Sequence, residues 1–458
     1  MGAKAAWCSA RFGLAACVAL LATQANAAMV GSLGSLVTGL AGDPAPLVSI
    51  TTLEARFGFD PSVGLGLNTD DGNIYYTGVV AGGAWALASS FVGGNTSSGI
   101  LVNQAHGPAV RVFDFSGFSL PQNIKMSVVG SLPAAIVSQS DITVDGSISV
   151  SAGGAGGGAG GGSPSGHDGA PGGSTGGTAT GGGGGEQNLG RYPSVTHPCC
   201  SSDISAAGGG GGGYIHPGAP GVGGTSDEVL VSSGSGTTAT VLRSVGGSGG
   251  HGTGAIPSDL RGGTGGGGGG DNNNDQINGY APGQSGGAGG GALLFATAGN
   301  MTVGLNGSIS ANGVAPGASG ESNGAGGGGS GGALWFDAAN AFVNYGLLSA
   351  HGGAGGINDF NLPDANHGDG FGGAGAGGMV LIDPQSIANF GTIDVSDGNG
   401  LSLGGGFVGL GAEMITNRGN IIGNAAIPEP PVGLPLLLAA LIGLSWRAGR
   451  RSPVMPGP

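Results

Sequence analysis

GGALLFATAGNMTVGLNGSISANG, residues 290–313, opens on an apolar block and closes on an alternating one. Met301, Val303, Leu305, Ile309 and Ala311 are apolar, and small or polar residues separate them, which is the period of half-buried strands. An earlier copy alternates in the same way through Ile142, Val144, Ile148 and Val150. Gly307 and Gly146 fall in phase on the inward face of the two copies, where a glycine lets the chain turn a corner that a side chain would obstruct.

The opening block recurs. GGALWF stands at 331–336 and GGMVLI at 377–382, spacings of 41 and 46 residues from one block to the next. Their second blocks are NYGLLSAHGG (344–353) and NFGTIDVSDG (389–398); the earlier copy is PAAIVSQSDITVDGSISVSAGG (133–154), and NRGNIIG (417–423) is a faded one. From block start (Pro133, Gly291, Gly332, Gly378) to second-block glycine (Gly146, Gly307, Gly346, Gly391) the offsets are 13, 16, 14 and 13. So narrow a range describes one structural unit with variable loops: three short strands in about 21 residues, one turn of a coil whose apolar stripe is buried by the next coil. The expected fold class is all-β, a short right-handed parallel β-helix or solenoid over residues 131–423 with long glycine-rich loops. Residues 28–130, with turn signals such as DDGNIYYTG (70–78), are expected to form a β-rich cap on its N-terminal end.

Glycine dominates the rest. Of 458 residues 112 are glycine and only 8% are charged, so length overstates the core a conventional globule would have. Most of it lies in an insertion at 151–290, interrupted by a strand-like pair near DEVLVSSGSGTTATVLRSV (227–245). Two readings stand open for these segments: flexible surface loops, or a stacked polyglycine arrangement in which bare backbones approach closely.

Charge excludes one class of partner. Residues 28–427 hold 25 acidic side chains (26 less Glu429) and 7 basic ones (12 less Lys4, Arg11, Arg447, Arg450 and Arg451), a formal −18 with Lys125 the only lysine. Nucleic-acid binding needs clustered Lys and Arg, and this body has none.

Catalytic and metal motifs fail on spacing. Asp141 and Asp145 stand about 13 Å apart on an extended strand, wider than paired glycosidase carboxylates, and read as solvated outward positions. Asp394 and Asp397 are three residues apart and face opposite sides of a strand. DNNND (271–275) opens like a calcium loop, but Gln276 replaces the turn glycine and Pro282 the bidentate glutamate. HGDGFGGAG (367–375) occurs once and lacks the order of a calcium-binding nonapeptide repeat. The seven histidines lie mostly beside Gly or Pro, and no glycine string ends in Gly-Lys-Ser/Thr. No cofactor, metal or catalytic residue is expected.

The two ends are signals. Residues 1–27 carry Lys4 and Arg11, an apolar stretch from Phe12 to Ala22, and the small-x-small site Ala25-Asn26-Ala27, the layout of a signal peptide cut after Ala27. A lipobox-like LAAC (14–17) sits inside it, but Val18–Leu21 continue the apolar run past Cys17. Cleavage removes Cys8 and Cys17 and leaves the adjacent Cys199 and Cys200, which can close as a vicinal disulfide or link two chains. At the other end AIPEPPVGLPLLLAALIGLSWRAGRR (426–451) places Pro428-Glu429-Pro430 before an uncharged run, Val432–Trp446, and the basic cluster Arg447, Arg450 and Arg451. The run is read as a transmembrane helix, short against the ~20 residues of a usual span, with its arginines on the cytoplasmic side. Residues 452–458 are a short tail.

Pro428-Glu429-Pro430, an apolar helix and a terminal basic cluster together resemble the PEP-CTERM sorting signal. The family departs from this chain at Pro435 inside the run and in the seven residues SPVMPGP after Arg451. Residues 113–423 likewise resemble a group of glycine-rich secreted bacterial proteins with β-helix-like repeats. The resemblance implies export across the inner membrane of a Gram-negative bacterium, a transient single-pass intermediate, recognition by an exosortase, and release to the cell surface or extracellular matrix. The partners it implies are exosortase, membrane and exopolysaccharide. The expected role is structural or adhesive and non-catalytic; the alternative is a carbohydrate-active β-helix enzyme, a lyase or hydrolase, which needs carboxylates clustered on one solenoid face.

Overall fold

The computed structural model describes residues 64–77, 86–87, 99–104, 107–115, 117–153, 157–161, 170, 172–174, 180–184, 191–193, 201–203, 206–222, 225–233, 236–270, 283–316, 324–357, 370–400 and 405–426. Among these residues every regular element is a strand, and there is no helix.

Four strands form the N-terminal edge: β1 (Gly64–Asn68), β2 (Ile74–Thr77), β3 (Ala86–Leu87) and β4 (Ile100–Val102). Then the chain coils, and each coil lays down three strands. The first is β5 (Val110–Phe115), β6 (Phe118–Leu120) and β7 (Lys125–Val129); the second is β8 (Ala134–Ser138), β9 (Ile142–Val144) and β10 (Ser147–Val150). Two antiparallel pairs follow within the insertion, β11 (Arg191–Pro193) with β12 (Ser201–Asp203) and β13 (Thr225–Ser233) with β14 (Gly236–Arg243). Coiling resumes with β15 (Ala292–Thr297), β16 (Met301–Val303) and β17 (Ser308–Ser310), and continues with β18 (Ala333–Ala338), β19 (Ala341–Asn344) and β20 (Leu347–Ser349). The fifth coil is β21 (Met379–Ile382), β22 (Ser386–Asn389) and β23 (Thr392–Asp394); the sixth is β24 (Phe407–Leu410), β25 (Met414–Asn417) and β26 (Asn420–Ile422); β27 (Asn424–Ala426) closes the stack.

Each coil gives one strand to each of three parallel sheets. The first sheet runs β5-β8-β15-β18-β21-β24-β27, the second β6-β9-β16-β19-β22-β25, and the third β7-β10-β17-β20-β23-β26. The register is in phase throughout: Leu293 pairs with Leu334, Phe295 with Phe336, Met301 with Phe342, and Ile309 with Leu348. β4 adds antiparallel to the first sheet and β2 and β3 add antiparallel beyond β1 in the third, so antiparallel strands close the N-terminal edges. The three-strand coils begin at Val110, upstream of residue 131, because β5, β6 and β7 already pair in parallel with β8, β9 and β10, and β1 in turn pairs in parallel with β7.

The three inward faces enclose one core of Ile, Val, Leu and Phe. Phe115, Phe118, Phe295, Phe336 and Phe342 form a ladder along the axis with ring centroids 5.1–6.3 Å apart. Each is fully buried, a contribution of roughly 1.5–3 kcal/mol per ring. Leu305, expected inward, is 81% exposed. The amide of Gly307 donates to the carbonyl of Gly304 (2.9 Å), and the turn this closes throws Leu305 off the alternation.

The first sheet is buried on both faces, which is why its strands read ALLF, ALWF and MVLI without polar breaks. Ala135, Leu294, Trp335 and Leu381 point away from the solenoid core and pack under Tyr214, Ile215 and Leu260 of the insertion. Gln104 ties that cover down: its side chain accepts from the Leu260 amide (2.7 Å) and donates to the carbonyls of Leu260 (2.8 Å) and Pro108 (2.7 Å). Tyr214 donates its hydroxyl to the Arg261 carbonyl (2.9 Å), and the Arg261 guanidinium pairs with Asp259, both buried.

All the glycine excursions leave at one corner, between the third sheet and the first: 151–291, 311–332, 350–378 and 395–406. Their described parts therefore lie beside one another, and they form a second layer. In residues 324–332 the donors rotate with a period of three. Gly324, Gly327 and Ser330 donate to Gly270, Gly267 and Thr264; Ala325, Gly328 and Gly331 donate to Gly370, Gly373 and Ala376; Gly329 and Gly332 donate to Val314 and Ala311. Residues 208–213 repeat the pattern toward Val222 and Ala219, Ala325 and Gly328, and Gly183 and Thr180. Three residues per turn with no internal hydrogen bonds is the polyproline II helix, and here each such helix bonds to three neighbours. Of the two readings left open for the glycine segments, the described residues take the stacked one.

Candidate functional site

The asparagine of each N-x-G block builds one corner of the solenoid. Asn344, at the end of β19, donates its side-chain amide to the Asn389 side chain (2.8 Å), and Asn389 donates to Asn417 (2.8 Å). Asn344 and Asn389 are wholly buried. The Asn344 side-chain oxygen also accepts from the amide of Gly346 (3.1 Å), so it holds the bend as well as the rung below. The glycine is required by proximity: a Cβ on Gly346 would lie 2.1 Å from the Gly307 carbonyl oxygen, and one on Gly419 would lie 2.1 Å from that of Gly391.

With the asparagine turned in and the glycine pressed on the previous coil, the residue between them points outward. On successive coils that residue is Tyr345, Phe390 and Arg418; one coil earlier the same position is Asn306, with the exposed Leu305 beside it in the turn. Tyr345 and Phe390 are 43% and 41% exposed, and their rings stack at 5.2 Å and 11°. A shallow groove follows them along the axis, flanked by Ser308, Leu347, Thr392 and Asn420 on the third-sheet side, with Asn306 in the column of Tyr345. Arg418 is the one charged residue lining it, and it forms no ion pair among the described residues. The N-x-G repeats were visible in the sequence as block markers; the signal overlooked was that x is aromatic in two copies.

A second feature is electrostatic. Asp337 and Asp383 follow the inward Phe336 and Ile382 on neighbouring coils, and the Asp383 amide donates to the Phe336 carbonyl (2.8 Å). Burial pushes both carboxyls up, and the charge of Asp337 adds to the effect on Asp383, which is pushed up to about 6. Asp114, three coils earlier in the same column as Asp337, is also raised by burial, against a hydrogen bond from Gln139. Aligning the apolar blocks by their last residue would have found the pair, since FD and ID occupy one repeat position.

The other acidic candidates hold turns. Asp141 accepts from the Asn300 amide (2.7 Å) on the next coil, Asp394 from the Ser396 amide (2.9 Å) and Asp397 from the Asn399 amide (3.0 Å). Among the described residues no group of three or more His, Cys, Asp or Glu is arranged to hold a metal ion. Ala25, Ala27, Cys199, Cys200, Pro428, Glu429, Pro430, Arg447, Arg450 and Arg451 lie outside the described residues. No family model, curated protein or solved structure matches the chain.

Proposed function

We propose that the protein is an exported structural or adhesive component of a Gram-negative cell surface or extracellular matrix, delivered by an exosortase, with no catalytic activity of its own. Its signal peptide starts export, the apolar run of 432–446 holds it briefly in the inner membrane, and Pro428-Glu429-Pro430 marks it for release. The coil is right-handed, the hand that parallel crossovers take almost without exception.

The observation that supports a structural role is the second layer. Glycine backbones hydrogen-bonded in three directions extend the solenoid sideways without the large apolar core that bulk normally demands. Such a body is bulky, low in charge and built of repeats, which suits a scaffold displayed outside the cell. The test is intact-mass analysis of the mature protein in cells with and without exosortase, alongside fractionation. A C-terminus shortened near Pro428 only when exosortase is present is expected; an unchanged C-terminus in both strains overturns the sorting step.

The Asp337 and Asp383 pair favours a second reading, a carbohydrate-active enzyme, because neighbouring rungs bring two carboxyls within about 5 Å of rise and burial raises the pKa of both. Neither residue lines the corner groove. Turnover of a polysaccharide panel, abolished by Asp383→Asn, would decide for this reading.

A further inference from the structure

We infer that the corner groove from Leu305 to Arg418 binds an acidic polysaccharide, one chain lying along the solenoid axis against the stacked pair of Tyr345 and Phe390 with a carboxylate at Arg418. The inference rests on the surface role proposed above and gives it a ligand class.

The stripe is placed for display. Tyr345 and Phe390 sit on a corner whose inner side is clamped by the asparagine ladder, and Leu305 stands exposed one coil earlier, so these apolar side chains are held in water by the backbone beneath them. Exposed apolar groups arranged contiguously mark a binding surface. Four rungs at ~4.8 Å each give a track of about 14 Å, room for about three sugar units.

The chemistry selects a sugar polymer over a peptide. A peptide that adds to a sheet needs unpaired backbone, but the strands behind Tyr345 and Phe390, from β10 to β23, are paired with their neighbours above and below, and only β26 presents an open edge at the end of that sheet among the described strands. What the corner offers instead is stacked aromatic surface and, beside it, the amide and hydroxyl groups of Asn306, Ser308, Thr392 and Asn420. That combination matches a pyranose, which has an apolar C–H face and a rim of hydroxyls. Charge then narrows the class. The body carries 25 acidic against 7 basic side chains, yet the groove has no carboxylate and one guanidinium. Arg418 presents a planar donor fork that pairs with a carboxylate in two parallel hydrogen bonds.

The test is calorimetric titration of the full secreted protein with oligogalacturonate, and with a neutral glucan oligomer of equal length. Binding of oligogalacturonate at least tenfold tighter than the glucan is expected. Y345A/F390A should weaken it more than tenfold and R418Q should weaken it about tenfold, enough to remove the preference over glucan, while all variants keep the native melting temperature and surface localisation. Oligogalacturonate affinity unchanged by Y345A/F390A, equal affinity for the glucan, or a dimer in sedimentation that Y345A/F390A dissolves would each overturn the inference. Those results would leave export and surface delivery standing, because localisation is read separately.

Discussion

A Cβ built on Gly391 would stand 2.1 Å from the carbonyl oxygen of Gly346, its counterpart one coil earlier. The corner is thus a column of glycines, each seated on the last, and the spacing between coils leaves no room for a methyl group. Gly391→Ala is expected to destabilise the protein by about 2–3 kcal/mol, the usual penalty for overpacking a rigid site. Gly254, whose Cβ would meet nothing within 4 Å but whose φ is +66°, should cost only about 1 kcal/mol as alanine. Chemical denaturation of both variants checks the ranking; equal losses would contradict the close-approach argument.

The polyglycine layer makes an independent prediction. A flexible glycine loop exchanges its amide hydrogens almost at once, whereas residues 324–332 donate to neighbours on three sides at distances of 2.7–3.0 Å. Their amides are expected to exchange as slowly as those of β15 and β18. Gly327→Ala, whose Cβ would lie 2.0 Å from the Gly210 carbonyl oxygen, should accelerate exchange across 208–213 and 263–270 together. Prompt exchange of 324–332 in the native protein would contradict the layer.

How much of this was legible in the sequence depended on whether a residue's neighbours recur. The coil was readable because Ile142, Met301 and Phe342 face the same neighbours in each copy and keep the same character. The corner glycines were readable for the same reason, since Gly346, Gly391 and Gly419 each press on the carbonyl of the corner glycine one coil earlier. The glycine layer was not, because a run of glycine is equally compatible with solvent and with a close-packed array, and only the shared exit corner of the excursions brings the helices together. The groove was missed because alternation put Leu305 inside, and nothing local to Tyr345 or Phe390 distinguishes an outward aromatic from a core one. The Asp383 environment was hidden for a further reason: its raised pKa depends on Asp337, 46 residues away.

Removing the middle of the asparagine ladder should be costly out of proportion to its size. Asn389 is wholly buried, accepts from Asn344 and donates to Asn417. Asn389→Ala breaks both bonds and leaves the Asn344 amide unpaired in the core, a loss of about 2–4 kcal/mol. Asn417→Ala, at the exposed end of the ladder, should cost about 1 kcal/mol. A scan of the two by thermal melting checks the difference, and it also tests whether the corner that carries Tyr345 and Phe390 stays ordered, since N389A should then weaken ligand binding without touching the groove.

The Asp383 carboxyl makes stability fall as pH rises. It titrates at about 6 in the folded protein against 3.8 ordinarily, so the unfolded chain gives up this proton first as pH increases. Below pH 4 both states hold the proton and the group costs nothing. Between pH 4 and 6 only the unfolded state is ionised, and stability declines; above 6 both are ionised and the full cost remains. The shift would amount to a few kcal/mol for a sealed site, and partial solvent access reduces it to roughly 1 kcal/mol. Asp383→Asn is therefore expected to gain on the native protein by about that much at pH 7 and by nothing at pH 4. Asp337→Asn should make the Asp383 decline smaller and end it at lower pH, because it removes the neighbouring charge that helps raise Asp383 in the folded state. Urea denaturation of the three proteins at pH 4, 5, 6 and 7 decides it: native and Asp383→Asn curves that stay parallel across this range would show that Asp383 titrates like an ordinary surface carboxylate.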